Sequence, residues 1–270
     1  MTYVPITLTG LAAASLLLVI SGAISFAFRL GLERSLAVAA LRMVVQLAIM
    51  ALVLKFVFEV NAPLWTSLFA LAMLMAAGYE AATRQTRRIS GWESLALGAG
   101  APFVSGLAAT VFATTAVIGN DPWYAPQFLL PILGMMMGNA LAGVSLVLDN
   151  VTDGAMRERA VIEARLALGA SRFEALSSVM GRAIKSGLMP ILTAMAAAGI
   201  VSLPGMMTGQ ILAGVSPVQA AKYQIMILFL IAGSTALAVL LAGIGAVALL
   251  TDERHRLRLE RLTAATPRQK

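Results

Sequence analysis

The chain has no cysteine and a single histidine, His255. The first absence removes disulfides, thiolate metal sites and cysteine nucleophiles, and it leaves the redox compartment open. The second nearly excludes a zinc site or a histidine general base. Charge is scarce too: only 12% of the 270 residues are Asp, Glu, Lys or Arg, against 59% hydrophobic. Soluble domains carry roughly 25% charged residues. So few charges cannot cover a water-facing surface, and lipid must supply part of the solvent. No Gly-x-x-x-x-Gly-Lys-Ser/Thr loop occurs, so ATP phosphates cannot be cradled in the P-loop manner. No polar block is long enough to fold apart, and one membrane domain over residues 1–270 is expected.

What the chain does have is long apolar runs. A hydrocarbon core of ~30 Å takes about 20 apolar residues in a helix. Stretches 7–28, 36–58, 64–83, 95–118, 127–148, 188–214 and 223–250 qualify. The expected fold is therefore an all-α polytopic membrane protein of seven spans. The first stretch has no Lys or Arg before it, unlike a cleaved signal peptide, and reads as a retained helix.

Basic residues test this count. With the N-terminus outside, the inside segments hold Arg29, Arg34, Arg84, Arg87 and Arg88, then Arg157, Arg159, Arg165, Arg172, Arg182 and Lys185. The tail at 251–270 adds Arg254, Arg256, Arg258, Arg261, Arg268 and Lys270. Only Lys55 and Lys222 fall outside, and Arg42 lies within a span. The positive-inside rule thus gives an N-out, C-in chain. The net charge of +7 gathers at span ends, which suits anionic lipid and not nucleic acid. Leu257, Leu259 and Leu262 alternate with basic residues in the tail, which reads as a surface helix on lipid headgroups, with Pro267 beyond it.

One inside connection, 149–187, is too polar to span and too long for a turn. Within it Ile162, Leu166, Gly169, Phe173, Leu176 and Met180 follow helical spacing. Two readings fit: an amphipathic helix lying on the membrane, or a helix pair turning at Gly169 and docking into a partner protein.

Residue order favours docking. The run Glu163-Ala164-Arg165-Leu166-Ala167-Leu168-Gly169-Ala170-Ser171 resembles the cytoplasmic motif of ABC-importer permeases, in which Glu-Ala-Ala is followed after three residues by Gly. Arg165 stands in place of the second Ala, and Gly181-Arg182 in place of a later Leu-Pro. Gly134-Met-Met-Met-Gly-Asn139, Arg42-Met-Val-Val-Gln46-Leu47 and Val201-Ser-Leu-Pro-Gly-Met-Met-Thr-Gly-Gln-Ile-Leu-Ala-Gly214 are similar to the Fet-type iron-export ABC permeases, a family that includes plant aluminium-tolerance permeases. The resemblance covers about residues 36–250. It implies a permease in a bacterial inner membrane that works as a homodimer with two copies of a separate ATPase, which would hold the ATP and Mg. It further implies that Glu163, Ala164, Arg165, Gly169, Ala170 and Ser171 form the coupling element, that the chain itself binds no cofactor, and that iron or another metal ion is exported.

Several polar groups fall inside the spans. Arg42 either pairs with Glu80, assisted by Gln46 one turn away, or faces the translocation path or the interface. Pro204-Gly205 interrupts the sixth span, as a hinge on the pathway or as a packing kink. Met136, Met206 and Met207, with Asn139 and Gln210, are candidate transport-path contacts for a metal, since thioethers suit soft ions and amide oxygens bind harder ones weakly. Methionine also serves simply as core filler. Gly134, Gly138, Ala142 and Gly143 are small enough for close helix approach.

Three other functions compete. A secondary carrier of a metal ion or small neutral solute would need no ATPase, but a chain of deep acidic residues is missing. An intramembrane enzyme lacks paired carboxylates or a serine–histidine arrangement. A seven-helix sensor would leave the 149–187 loop without a role. An Arg42–Glu80 pair predicts that Arg42→Ala sharply lowers folded protein recovered from membranes and that Glu80→Gln in the same chain partly restores it. Quantifying monodisperse protein from the two strains checks this; equal losses in both would rule the pair out.

Overall fold

The computed structural model describes residues 7–84, 92–252 and 256–262. Arg87, Arg88, Arg254, His255, Pro267, Arg268 and Lys270 lie outside them. Two compact units emerge, one reaching to Val60 and the other spanning Asn61–Thr266.

The first unit pairs α1 (Leu8–Ala27) with α2 (Glu33–Val60). Their connection satisfies its own backbone. Arg29 takes φ +52, which lets its N–H reach Phe26 O and the Leu30 N–H reach Ser25 O, at 3.1 and 2.9 Å. This is the double bond pattern of a Schellman cap, with Arg where glycine is usual. Ser25 is buried; its hydroxyl donates to Glu33 and accepts from the Leu32 N–H, both at 3.0 Å. The helix walls are the reverse. The most apolar part of α2 has a mean hydropathy of 2.3, and 0% of it is buried inside the chain. Water cannot be the solvent for such a surface.

The second unit holds α3 (Pro63–Arg84), α4 (Trp92–Phe112) with a π-helical extension to Ile118, α5 (Pro126–Arg157), α6 (Arg159–Ala167), α7 (Arg172–Ala175), α8 (Ser177–Ala197), α9 (Gly205–Leu212) and α10 (Pro217–Leu250). Proline opens α5 and α10, where its missing N–H costs nothing. Hydroxyls inside α4 turn back onto their own helix: Ser105 donates to Ala101 O, Thr110 to Gly106 O and Thr114 to Thr110 O, at 2.7–3.1 Å. That is how a hydroxyl is tolerated where neither water nor a neighbour accepts it.

Helix α5 packs along α10, with α4 and α8 against both and α3 against α4 and α5. The core along these helices is made of small and β-branched side chains: Val144, Val147 and Val151 on α5, Ala183 on α8, Ala238, Val239 and Ala242 on α10. Glycine sets the closest approach. A Cβ on Gly187 would sit 2.5 Å from Val147 Cγ2 and 2.8 Å from Gly143 O, and one on Gly143 would sit 2.9 Å from Gly187 O and from Val239 Cγ2. Backbones in contact at this spacing are the small-residue packing of membrane helices. Gly134 meets Met73 Cε, while Gly138 has nothing within 4 Å.

The described residues are almost wholly helical, with only two isolated bridges and no strand. Among the described residues, five helices are long and apolar enough to cross a bilayer: α1, α2, α4 with its extension, α5 and α10. In α3 the apolar part is shorter, Pro63–Ala77. Three expectations from sequence are corrected. The sixth span, 188–214, is two helices and not one kinked helix. Helix α8 ends at Ala197, whose carbonyl takes the N–H groups of Ile200, Val201 and Ser202, and Gly199 at φ +84 makes the turn. Pro204 is the N-cap residue of α9 and Gly205 its first residue. The 149–187 loop is also much shorter than its polarity suggested, because α5 runs on to Arg157 and α8 starts at Ser177. Finally, the described part of the tail is no surface helix. It folds back so that Arg258 N–H donates to Leu250 O, and Leu257, Leu259 and Leu262 pack on the core.

The glycine contact yields a test. Gly187→Ala should destabilise the protein by about 1–3 kcal/mol, as overpacking does, whereas Gly138→Ala should not. Thermal unfolding in lipid nanodiscs measures both.

Candidate functional site

Two places in the second unit are candidates for chemistry or recognition, and they occupy opposite ends of α5. That helix has 32 residues, so its ends stand about 48 Å apart at ~1.5 Å per residue.

The first place is the α6–α7 lobe at the C-terminal end of α5. Helix α6 stops in a complete Schellman cap: Ala170 N–H donates to Arg165 O and Gly169 N–H to Leu166 O, at 3.1 and 3.0 Å, with Gly169 at φ +92. Next, Ser171 starts α7 with a capping box. Its hydroxyl accepts from the Glu174 N–H at 3.3 Å and its own N–H donates to the Glu174 carboxylate at 2.8 Å. Donation from the Ser171 backbone, and then from its hydroxyl, holds the Glu174 carboxyl below the usual glutamate range.

The lobe is tied down on one side and open on the other. Ile162, Ala175, Leu176 and Val179 are buried in the bundle core, with Leu166 and Met180 packed beside them. Arg165 bridges the two short helices by donating to Ala175 O at 3.5 Å. Arg182 on α8 pairs with Glu158, and Arg159 with Glu163 at 2.8 Å. At the turn, Leu168 is 89% exposed. Phe173 is also exposed, with the Arg172 guanidinium 5.2 Å from its ring centre. Glu163, Ala164 and Arg165 lie on the outward side of α6.

The second place is a cavity of about 510 Å3 at the N-terminal ends of α5 and α10. Its walls include Gln127, Phe128 and Met135 on α5, Met206 and Gln210 on α9, and Tyr223 and Met226 on α10. Gln210 Oε1 is buried and has no protein hydrogen-bond partner. Among the described residues, no three His, Cys, Asp or Glu side chains come together as a metal site.

Of the sequence candidates for the transport path, Met206 and Gln210 line this cavity. Met136 lies fully buried in the apolar cluster that forms part of its wall, among Ile132, Ile191 and Ile227. Met207 is half-buried and does not line it. Asn139 is exposed and donates to Met135 O on its own helix. Arg42 and Gln46 belong to α2 in the first unit and Glu80 to α3 in the second.

Comparison with known proteins adds a family. A model described as an uncharacterised protein family, UPF0014, matches residues 8–250. The chain belongs to the UPF0014 family. It is 31% identical over 256 residues to the probable iron export permease protein FetB of Escherichia coli, covering 93% of this chain and 95% of the relative. It is 37% identical over 194 residues to the UPF0014 membrane protein slr1647 of Synechocystis, covering 70% and 73%. Protein ALUMINUM SENSITIVE 3 of Arabidopsis thaliana is 30% identical over 223 residues, covering 83% and 80%. No solved structure matches.

Four features of this UPF0014 chain were missed by sequence reasoning. Met135 stood within the quoted methionine run but was passed over for its neighbour. Tyr223 and Met226 come from a helix that carried no motif. Leu168 appeared only inside the quoted Glu163–Ser171 run, because nothing in its type shows that a glycine turn would expose it.

Proposed function

We propose that the chain is the membrane-spanning subunit of an ATP-binding cassette exporter. Two copies would form the pathway, N-out and C-in in the inner membrane, and each would dock through α6–α7 on a separate ATPase subunit that holds ATP and Mg. Hydrolysis then belongs to the partner. Iron or another metal ion is the cargo, a reading supported by the name of the E. coli relative and by the sequence resemblance.

The observation that carries this reading is the two-sidedness of the lobe. A helix lying on a membrane would bury its apolar stripe in lipid. Here most of the stripe is already spent on the core, with Ile162 and Leu176 at most 1% exposed, while Leu168 is held out at the apex and Val161 and Phe173 stay open on the same lobe. A projecting apolar tip ringed by Arg and Glu suits a pocket in another protein, with the apolar residue as anchor and the charges as rim. Force on that tip would travel into α5 and α8, because the lobe's buried side chains pack into the shared core and Glu158, at its start, pairs with Arg182 of α8. The absence of a P-loop in the sequence fits an ATPase supplied in trans.

The test is ATPase stimulation in nanodiscs, with the chain co-expressed with a candidate ATP-binding cassette ATPase subunit from the same genome. Leu168→Glu removes the anchor without touching the core. It should cut stimulated hydrolysis at least about tenfold, as loss of a binding hot spot of ~1.4 kcal/mol or more does, while the melting temperature stays put. Unchanged co-purification and stimulation would exclude docking through the lobe.

A further inference from the structure

The cavity between α5, α9 and α10 lets the cargo be specified further, on the permease reading above. Hard cations such as Mg2+, or iron in its hydrated forms, prefer carboxylate and other charged oxygen ligands. The cavity wall offers none: its polar groups are the amides of Gln127 and Gln210 and the phenol of Tyr223. A hard ion stripped of water there would have no countercharge.

The wall does offer three thioethers. Met135, Met206 and Met226 come from three different elements and converge on the same space. Sulfur of this kind is a neutral, polarisable ligand that selects Cu(I)-like ions over hard ones. A monovalent ion also loses less than a divalent one on leaving water, so neutral ligands can hold it. Gln210 adds a buried amide oxygen without a protein partner, available as a weak fourth ligand. The cavity is much wider than a bare ion. Methionine's three rotatable bonds allow the sulfurs to close in as the ion sheds its waters, and weak ligands let an exporter release what it takes up. Met136 is fully buried among isoleucines and is left to packing.

We propose that this cavity is a transport site for a soft monovalent metal cation, held by the thioethers of Met135, Met206 and Met226 with Gln210 beside them. The probe is Ag(I), which mimics Cu(I) without redox chemistry. It would be titrated by calorimetry into the full chain in nanodiscs and examined by X-ray absorption at the silver edge. Saturable binding with sulfur neighbours is expected. Each of Met135→Leu, Met206→Leu and Met226→Leu, which conserve volume, should weaken it at least about tenfold, or ~1.4 kcal/mol per lost ligand. Met189→Leu, an exposed methionine elsewhere on α8, should change nothing.

No binding, oxygen or nitrogen neighbours only, or equal loss in the Met189 control would overturn the site and leave these methionines as packing. The permease reading fails separately. Sulfur-bound silver on a chain that stimulates no ATPase would leave the site standing and remove that reading. An ATPase complex stimulated by Fe(II) with no sulfur-bound silver would remove only the site.

Discussion

Hydrocarbon offers a peptide group no hydrogen-bond partner, so every N–H and C=O at membrane depth must be answered from within the chain. Most of the structure can be traced to that requirement. It fills the long apolar runs with helix. It turns the hydroxyls of Ser105, Thr110 and Thr114 back onto their own carbonyls. It ends α1 and α9 in caps where the last carbonyls are taken up by N–H groups just beyond, around Arg29 and Gly214. Where the sixth span breaks, the same rule operates: the Ala197 carbonyl collects three N–H groups before Pro204 starts the next helix.

Once the backbone is satisfied locally, the helices are free to pack by shape. Lipid is as apolar as leucine, so packing and close approach must hold the bundle together. Glycine on α5 and α8 brings the two backbones into contact beside Val239 of α10. The same α5 carries the cavity near its first turns and the α6–α7 lobe after its last. A rigid element with a recognition surface at one end and a chamber at the other is the mechanical arrangement an ATP-driven pump needs. In the proposed cycle, motion imposed at Leu168 would pass along α5 and α8 to the walls of the chamber.

Much of this was legible in the sequence, and what was not had physical causes. Apolar run length alone located α1 to α5 and α10, and Gly169 marked its turn because few other residues take a positive φ. The break in the sixth span was visible as Pro204-Gly205, but its place was misjudged. A proline shows where a helix cannot continue, and it does not show that Gly199 has already ended it. The polar 149–187 segment looked like loop because polarity was taken to mean departure from the bundle. Helices α5 and α8 instead continue past the apolar zone, keeping Val151, Ala155 and Val179 buried on one face. The tail misled for a similar reason: leucines at 257, 259 and 262 among basic residues read as a helix on lipid headgroups, yet they pack on the core from a segment that forms only one short helical turn, Leu259–Arg261. Which methionines share a cavity was beyond sequence altogether, since it depends on α5, α9 and α10 meeting.

The measurement that bears most directly on the central claim is site-specific cross-linking of the lobe. The chain has no cysteine, so a single Leu168→Cys carries the only thiol. With a candidate ATP-binding cassette ATPase subunit from the same genome co-expressed in membranes, a short thiol-to-amine cross-linker should join Leu168→Cys to that ATPase. Ile200→Cys, equally exposed at the far end of α8, should give no such product. Cross-linking from both positions, or from neither, would contradict the proposed docking.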